Sequence, residues 1–170
     1  PGTRLIPNGL PVFPLYYEND DESRRELGTD SRLTFTAPED GQYLVRLVDT
    51  RGFQGEKFSY TLTVRQRRPD FKVSVGGANP KVSPGSGREF SVTAKRRDGF
   101  DGPIQVHVGE LPPGFQVTTP LVIQAGQNTA LGTITALADA AKPAADAKPA
   151  LLTATAEIAG KTVTREIGNL

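Results

Sequence analysis

The chain has 170 residues, with 20 Lys plus Arg against 19 Asp plus Glu for a net charge of +1, no Cys, no Met, no Trp and a single His. With no Cys and only His107, thiol nucleophiles, disulfides, tetrahedral zinc sites and catalysis by paired histidines are excluded, which leaves oxygen chemistry. The near-zero net charge argues against nucleic-acid binding by bulk electrostatics, and no run of about 18 apolar residues is present to span a membrane as a helix.

Gly (18) and Pro (14) make up nearly a fifth of the chain, so many turns are expected. Pro1 stands where a translated chain has Met, which predicts a processed N-terminus or a cut inside a longer protein, with any signal peptide already removed.

The first feature is the acidic run Glu18-Asn19-Asp20-Asp21-Glu22, with Asp30 a few residues on. From Ser31 to Ala37, Leu33, Phe35 and Ala37 alternate with Arg32, Thr34 and Thr36, the period of two that defines a half-buried strand. Ala37-Pro38-Glu39-Asp40-Gly41 has Pro and Gly placed for a tight reversal. Gln42 to Asp49 is more continuously apolar and reads as a central strand. Lys57 to Arg65 alternates again, with Phe58, Tyr60, Leu62 and Val64 on one side, so a three-stranded meander is expected over 31–66. The polar stretch Arg65-Gln66-Arg67-Arg68-Pro69-Asp70 reads as a linker.

A second series of alternating segments follows: Phe71, Val73, Val75; Phe90, Val92, Ala94; Ile104, Val106, Val108; Phe115, Val117; Leu121, Ile123. Gly- and Pro-rich turns separate them, Asn128 to Leu137 adds a strand, and Leu151 to Ala159 with Lys161 to Ile167 form a terminal hairpin around Ala159-Gly160. About seven strands in roughly 100 residues predict an all-β sandwich. Ala136 to Ala150 is rich in Ala, but Pro143 and Pro149 oppose a helix, so an extended loop open to proteolysis is expected.

The stretches from Tyr16 to Glu22 and from Thr29 to Val64 resemble the C-terminal half of bacterial pre-peptidase C-terminal domains. The matching residues are Asp20, Asp21, Asp30, Ser31, Pro38, Gly41, Tyr43, Tyr60 and Leu62. The resemblance implies that the first strands of that sandwich precede residue 1, or that Thr3 to Tyr17 closes a variant of it. Residues 68–170 resemble a bacterial immunoglobulin-like domain through Asp98 to Phe115, with its charged turn and Leu-Pro-Pro-Gly motif. The pair is similar to modules of large secreted proteins of planctomycete-type bacteria. It implies a non-catalytic region, 1–67 and 68–170, that spaces other domains of its parent protein or binds a cell-surface polysaccharide or protein, in a secreted, periplasmic or envelope location.

Calcium takes six to eight oxygen ligands, and Asp20, Asp21 and Asp30 are the residues expected to supply them; the alternative is a solvated acidic loop. Tyr16 and Tyr17 beside that loop are the candidate platform for a carbohydrate, the alternative to a spacer role. His107 is out of phase with Ile104, Val106 and Val108 and is expected on the polar face. Residues 1–67 hold 9 basic and 10 acidic side chains, net −1, and residues 68–170 hold 11 and 9, net +2. Arg65-Gln66-Arg67-Arg68 and Lys95-Arg96-Arg97 are therefore read as a solvated linker and a strand end that discourages edge pairing, with no nucleic-acid partner. Arg51-Gly52-Phe53-Gln54-Gly55 and Arg97 to Gly102 share a Gly-Phe-x-Gly core, read as two glycine-framed turns whose Phe caps a sandwich end. No serine lies in a nucleophile elbow, and the expectation is a protein without an active site.

Overall fold

A computed structural model describes residues 17–21, 29–144 and 146–170. The chain divides into two compact units, Pro1–Tyr60 and Thr61–Leu170.

In the first unit the described residues form turns and bends, and no strand ladder joins 31–37, 42–49 and 57–65. The expected meander is therefore not formed. Alternation gives a segment one apolar face, but hydrogen-bonded pairing is stable only when a second layer covers that face. Here Leu33, Leu44, Leu47, Phe58 and Tyr60 remain exposed. Local turn chemistry is present nonetheless. The Tyr43 hydroxyl donates to the Glu39 carbonyl at 2.6 Å and closes the Pro38–Gly41 reversal. Asp49 Oδ1 accepts the Arg51 and Phe53 amides at 2.9 and 3.1 Å.

The second unit holds all the strands among the described residues, in two antiparallel four-stranded sheets. The strands are β1 (Asp70–Gly76), β2 (Gly87–Arg97), β3 (Ile104–Val108), β4 (Phe115–Val117), β5 (Leu121–Ile123), β6 (Thr129–Ala136), β7 (Leu151–Ile158) and β8 (Lys161–Asn169). One sheet runs β1-β2-β6-β4 and the other β5-β3-β7-β8. Strand periodicity explains the core. Phe71 and Val73, then Phe90, Val92 and Ala94, then Ile134, face Ile104, Val106, Ile123, Leu152, Ala154 and Ala156 across the sandwich. His107 and Gln105 lie exposed on β3, as their phase predicts. There is no helix among the described residues, and 137–144 and 146–150 form a loop with single turns at Ala138-Asp139 and Asp146.

The two ends of the sandwich are built differently. At the proximal pole lie the turn after β2, the 124–128 turn and the β7–β8 hairpin, and Gly126 N donating to Asp101 O at 3.3 Å joins the first two. At the distal pole, Gly85 N donates to Ala136 O, Leu137 N to Gly114 O, Gly109 N to Leu151 O and Leu170 N to Ala150 O. β1 starts at the proximal pole, where Asp70 faces Arg97, and β8 ends at the distal one, where Asn169 faces Leu151. Arg165 ties these two strands across the edge, 2.6 Å from Asp70 and over the ring of Phe71 at 5.6 Å.

The β7–β8 hairpin turns through Ala159 (φ 49°) and Gly160 (φ 73°), with Ile158 paired to Lys161. Two positive φ values in a two-residue loop favour Asn-Gly, whereas Ala places its Cβ against the following carbonyl. Ala159→Asn is expected to stabilise the unit by about 0.5–1 kcal/mol. The check is a higher denaturant midpoint at unchanged m-value.

Candidate functional site

Tyr17 lies in a line of three rings. Its ring meets Phe35 edge-on at 4.6 Å, and Phe35 meets Tyr43 edge-on at 4.9 Å, while about half of Tyr17 is exposed. Tyr16 lies outside the described residues. The acidic loop is arranged by its backbone. Ser31 Oγ donates to Asp20 O, and Asn19 Nδ2 donates to Asp21 O at 2.9 Å and to Arg32 O at 2.8 Å. These bonds bring Asp20 beside Ser31, but they engage main-chain oxygens rather than carboxylates. Among the described residues no three acidic or histidine side chains converge as a metal-binding group, so Asp20, Asp21 and Asp30 are not drawn together.

The two Gly-Phe-x-Gly turns have different fates. In the first, Phe53 stacks on Phe58 at 5.6 Å with Arg51 over its outer side, and both rings are half exposed. The cap expected of Phe53 is not formed, because no core surface meets its ring. In the second, Phe100 is buried against Phe71 at 5.5 Å and closes the proximal pole as expected.

The most constrained polar groups lie at that pole, and the linear reading of the basic runs missed them. β2 is an inner strand of its sheet, but its ladder with β6 ends at Thr93, so Lys95-Arg96-Arg97 pairs with β1 alone. Arg96 follows Phe90, Val92 and Ala94 in phase and points inward, only 9% exposed. Its guanidinium donates through Nε to Gln127 O (2.9 Å), through Nη1 to Gly102 O (2.6 Å) and through Nη2 to Gln124 O (2.8 Å), and it lies over Phe100 at 5.4 Å. A planar fork of donors suits three divergent carbonyls, which a lysine ammonium would not span. The period of two was the available signal: the inward phase extends to position 96.

Asp98 and Gly99 form the turn, with φ of 50° and 83° and Phe100 N bonded to Arg97 O at 3.0 Å. The Asp98 carboxylate accepts Arg65 Nη1 at 2.5 Å, Arg65 Nη2 at 3.3 Å and the Arg68 amide at 3.0 Å. Hydrogen bonding first, and charge second, raise the Arg65 pKa above its ordinary value and keep it protonated. The basic run 65–68 is exposed, as a solvated linker would be, but it is also held to the sandwich through Asp98.

At the distal pole an open cleft of about 630 Å³ lies between Leu111, Pro112 and Pro113 on one side and Pro143, Pro149 and Leu151 on the other. Its walls are mostly proline and aliphatic, with Glu110, Lys142 and Lys148 at hand to meet solvent or a polar partner.

Compared with known protein families, with curated proteins and with solved structures, the chain matches none.

Proposed function

We propose that the chain is a non-catalytic structural region of a secreted, periplasmic or envelope-associated bacterial protein. In this reading it spaces other domains of its parent or offers them a surface. The observation that carries the proposal is the path of the chain through the sandwich. It comes in at the proximal pole, tied down by Asp98, and β8 ends at the distal pole, so the module sets a distance between what is attached at either end. The nine residues of β8 alone span about 30 Å.

An immunoglobulin-like identity for the sandwich is supported by strand order. In constant-type immunoglobulin domains the sheets run A-B-E-D and C-F-G. With β1, β2, β3, β4, β6, β7 and β8 as A to G, the order β1-β2-β6-β4 and the run β3-β7-β8 reproduce both. β5 is then an added strand between D and E that extends the second sheet beyond C. For the first unit, the Tyr43-closed turn gives physical sense to the Pro-x-x-Gly-x-Tyr pattern of pre-peptidase C-terminal domains.

The contrasting role, a calcium-assisted carbohydrate module, rests on Tyr17. Affinity electrophoresis against a panel of polysaccharides, with and without calcium, separates the two. The spacer reading expects no retardation and no change on Tyr17→Ala. Saturable retardation that Tyr17→Ala abolishes would replace it with the carbohydrate reading.

A further inference from the structure

We propose that Arg65–Arg68 is a latch: Asp98 clamps this segment to the proximal pole and thereby fixes the direction from which the chain reaches β1. Composition alone makes it a flexible tether, and a free chain of six residues wanders over about 13 Å. Three bonds from two positions of the segment to one carboxylate remove that freedom. Arg65 approaches as a fork, one Nη on each oxygen, and the Arg68 amide shares Oδ2. Arg67 lies over the same turn, since a methyl group added at Gly99 would come 3.5 Å from its Nη1.

The post itself is preorganised. The turn that carries Asp98 is pinned by Phe100, whose ring is buried against Phe71 and Arg96, and with the segment docked the Asp98 side chain is only 6% exposed. The carboxylate therefore waits in place, and only the segment loses entropy when it docks. Position 98 also requires a residue that tolerates φ of 50°, which Asp and Asn do better than other side-chain-bearing residues. The docked state is charge-assisted, with Arg65 partly in solvent, so salt weakens it without touching the apolar core.

The latch deepens the spacer reading, and its biological meaning rests on that reading, because a spacer with a hinged end sets no direction. The two fail separately. Saturable polysaccharide binding removes the spacer and leaves the latch, whereas a freely cleaved wild-type segment removes the latch and leaves the spacer.

Trypsin digestion of the full chain, followed by mass spectrometry of the products, is the test. Arg65-Gln66 and Arg67-Arg68 are the susceptible bonds of the segment, since Arg68 precedes Pro69. Wild type is expected to be cut there at least tenfold more slowly than Asp98→Asn, which keeps the left-handed turn and loses the charge. The Arg68 amide, followed by NMR exchange, is expected to be protected in wild type and free in the variant, with β2 and β6 protected in both. If Asp98→Asn also loosens β2, Arg65→Gln at an exposed position carries the comparison, read at Arg67-Arg68 alone because the variant has no trypsin site at residue 65. Equal cleavage of the Arg67-Arg68 bond in wild type and Arg65→Gln, or exchange of the wild-type Arg68 amide at the free-peptide rate, overturns the latch.

Discussion

Arg96→Ala is expected to destabilise the sandwich by about 3 kcal/mol or more, a large share of the roughly 5–15 kcal/mol by which a domain of this size is stable. The guanidinium satisfies three carbonyls, those of Gly102, Gln124 and Gln127, and they belong to two loops separated by more than twenty residues. Truncation leaves these acceptors turned toward an apolar pole, each costing about 1–3 kcal/mol unless water replaces the donor. The Phe100 face loses its cation as well. Arg96→Lys should recover only part of the loss, because an ammonium cannot reach three carbonyls that diverge around a plane. Thermal unfolding followed by circular dichroism reads both variants. For a unit of about 110 residues the alanine variant should melt about 15 °C lower. A loss below about 1 kcal/mol would mean that water fills the site, and that Arg96 does not hold the pole together.

The second large effect is predicted at a glycine. Gly132 on β6 stands directly opposite Phe90 on β2, and the Phe90 ring, almost wholly buried, lies across it. A Cβ at position 132 would sit 2.5 Å from Phe90 Cζ, 2.7 Å from Cε1 and 3.2 Å from Leu121 Cδ2. The ring is hemmed in by the core, so it cannot swing away without displacing neighbours. Gly132→Ala is accordingly expected to cost about 1–3 kcal/mol, although alanine suits a strand at least as well as glycine. Phe90→Leu withdraws the distal ring carbons. Combined with Gly132→Ala, it should give a loss smaller than the sum of the single losses, by about 1 kcal/mol or more. Strict additivity in denaturant unfolding would show that the close approach is not the cause.

Both predictions concern residues whose importance is local in sequence only by half. The alternation of Phe90, Val92 and Ala94 makes the phase of Arg96 legible, and the Gly-Phe pairing across β2 and β6 obeys the same period. What composition suggested for the basic runs, a solvated linker and a guarded strand end, accounts for their exposed residues but not for the buried Arg96 or for the tie of 65–68 to Asp98. Charge-counting along the chain does not show which carbonyls or carboxylates the fold will bring within reach. Asp98 is 30 residues from Arg68, and Gln127 is 31 from Arg96. The acidic loop shows the reverse: Asp20, Asp21 and Asp30 are close in sequence, yet the bonds that order the loop run through main-chain oxygens.

By itself the sequence determined the all-β class, the strands of residues 70–170 to within a residue or two, the inward faces of the sandwich, and the absence of thiol and paired-histidine chemistry. These depend on local periodicity, turn residues and composition, which need no partner to be read. Only the tertiary structure decided that 31–66 forms no ladder, that Arg96 points inward to three carbonyls, that Asp98 holds the segment before β1, and that β1 and β8 join opposite poles. Each of those depends on a second layer or a distant loop. A side chain's period says which way it points, and the surface it meets there decides whether it pairs, packs or stays in water.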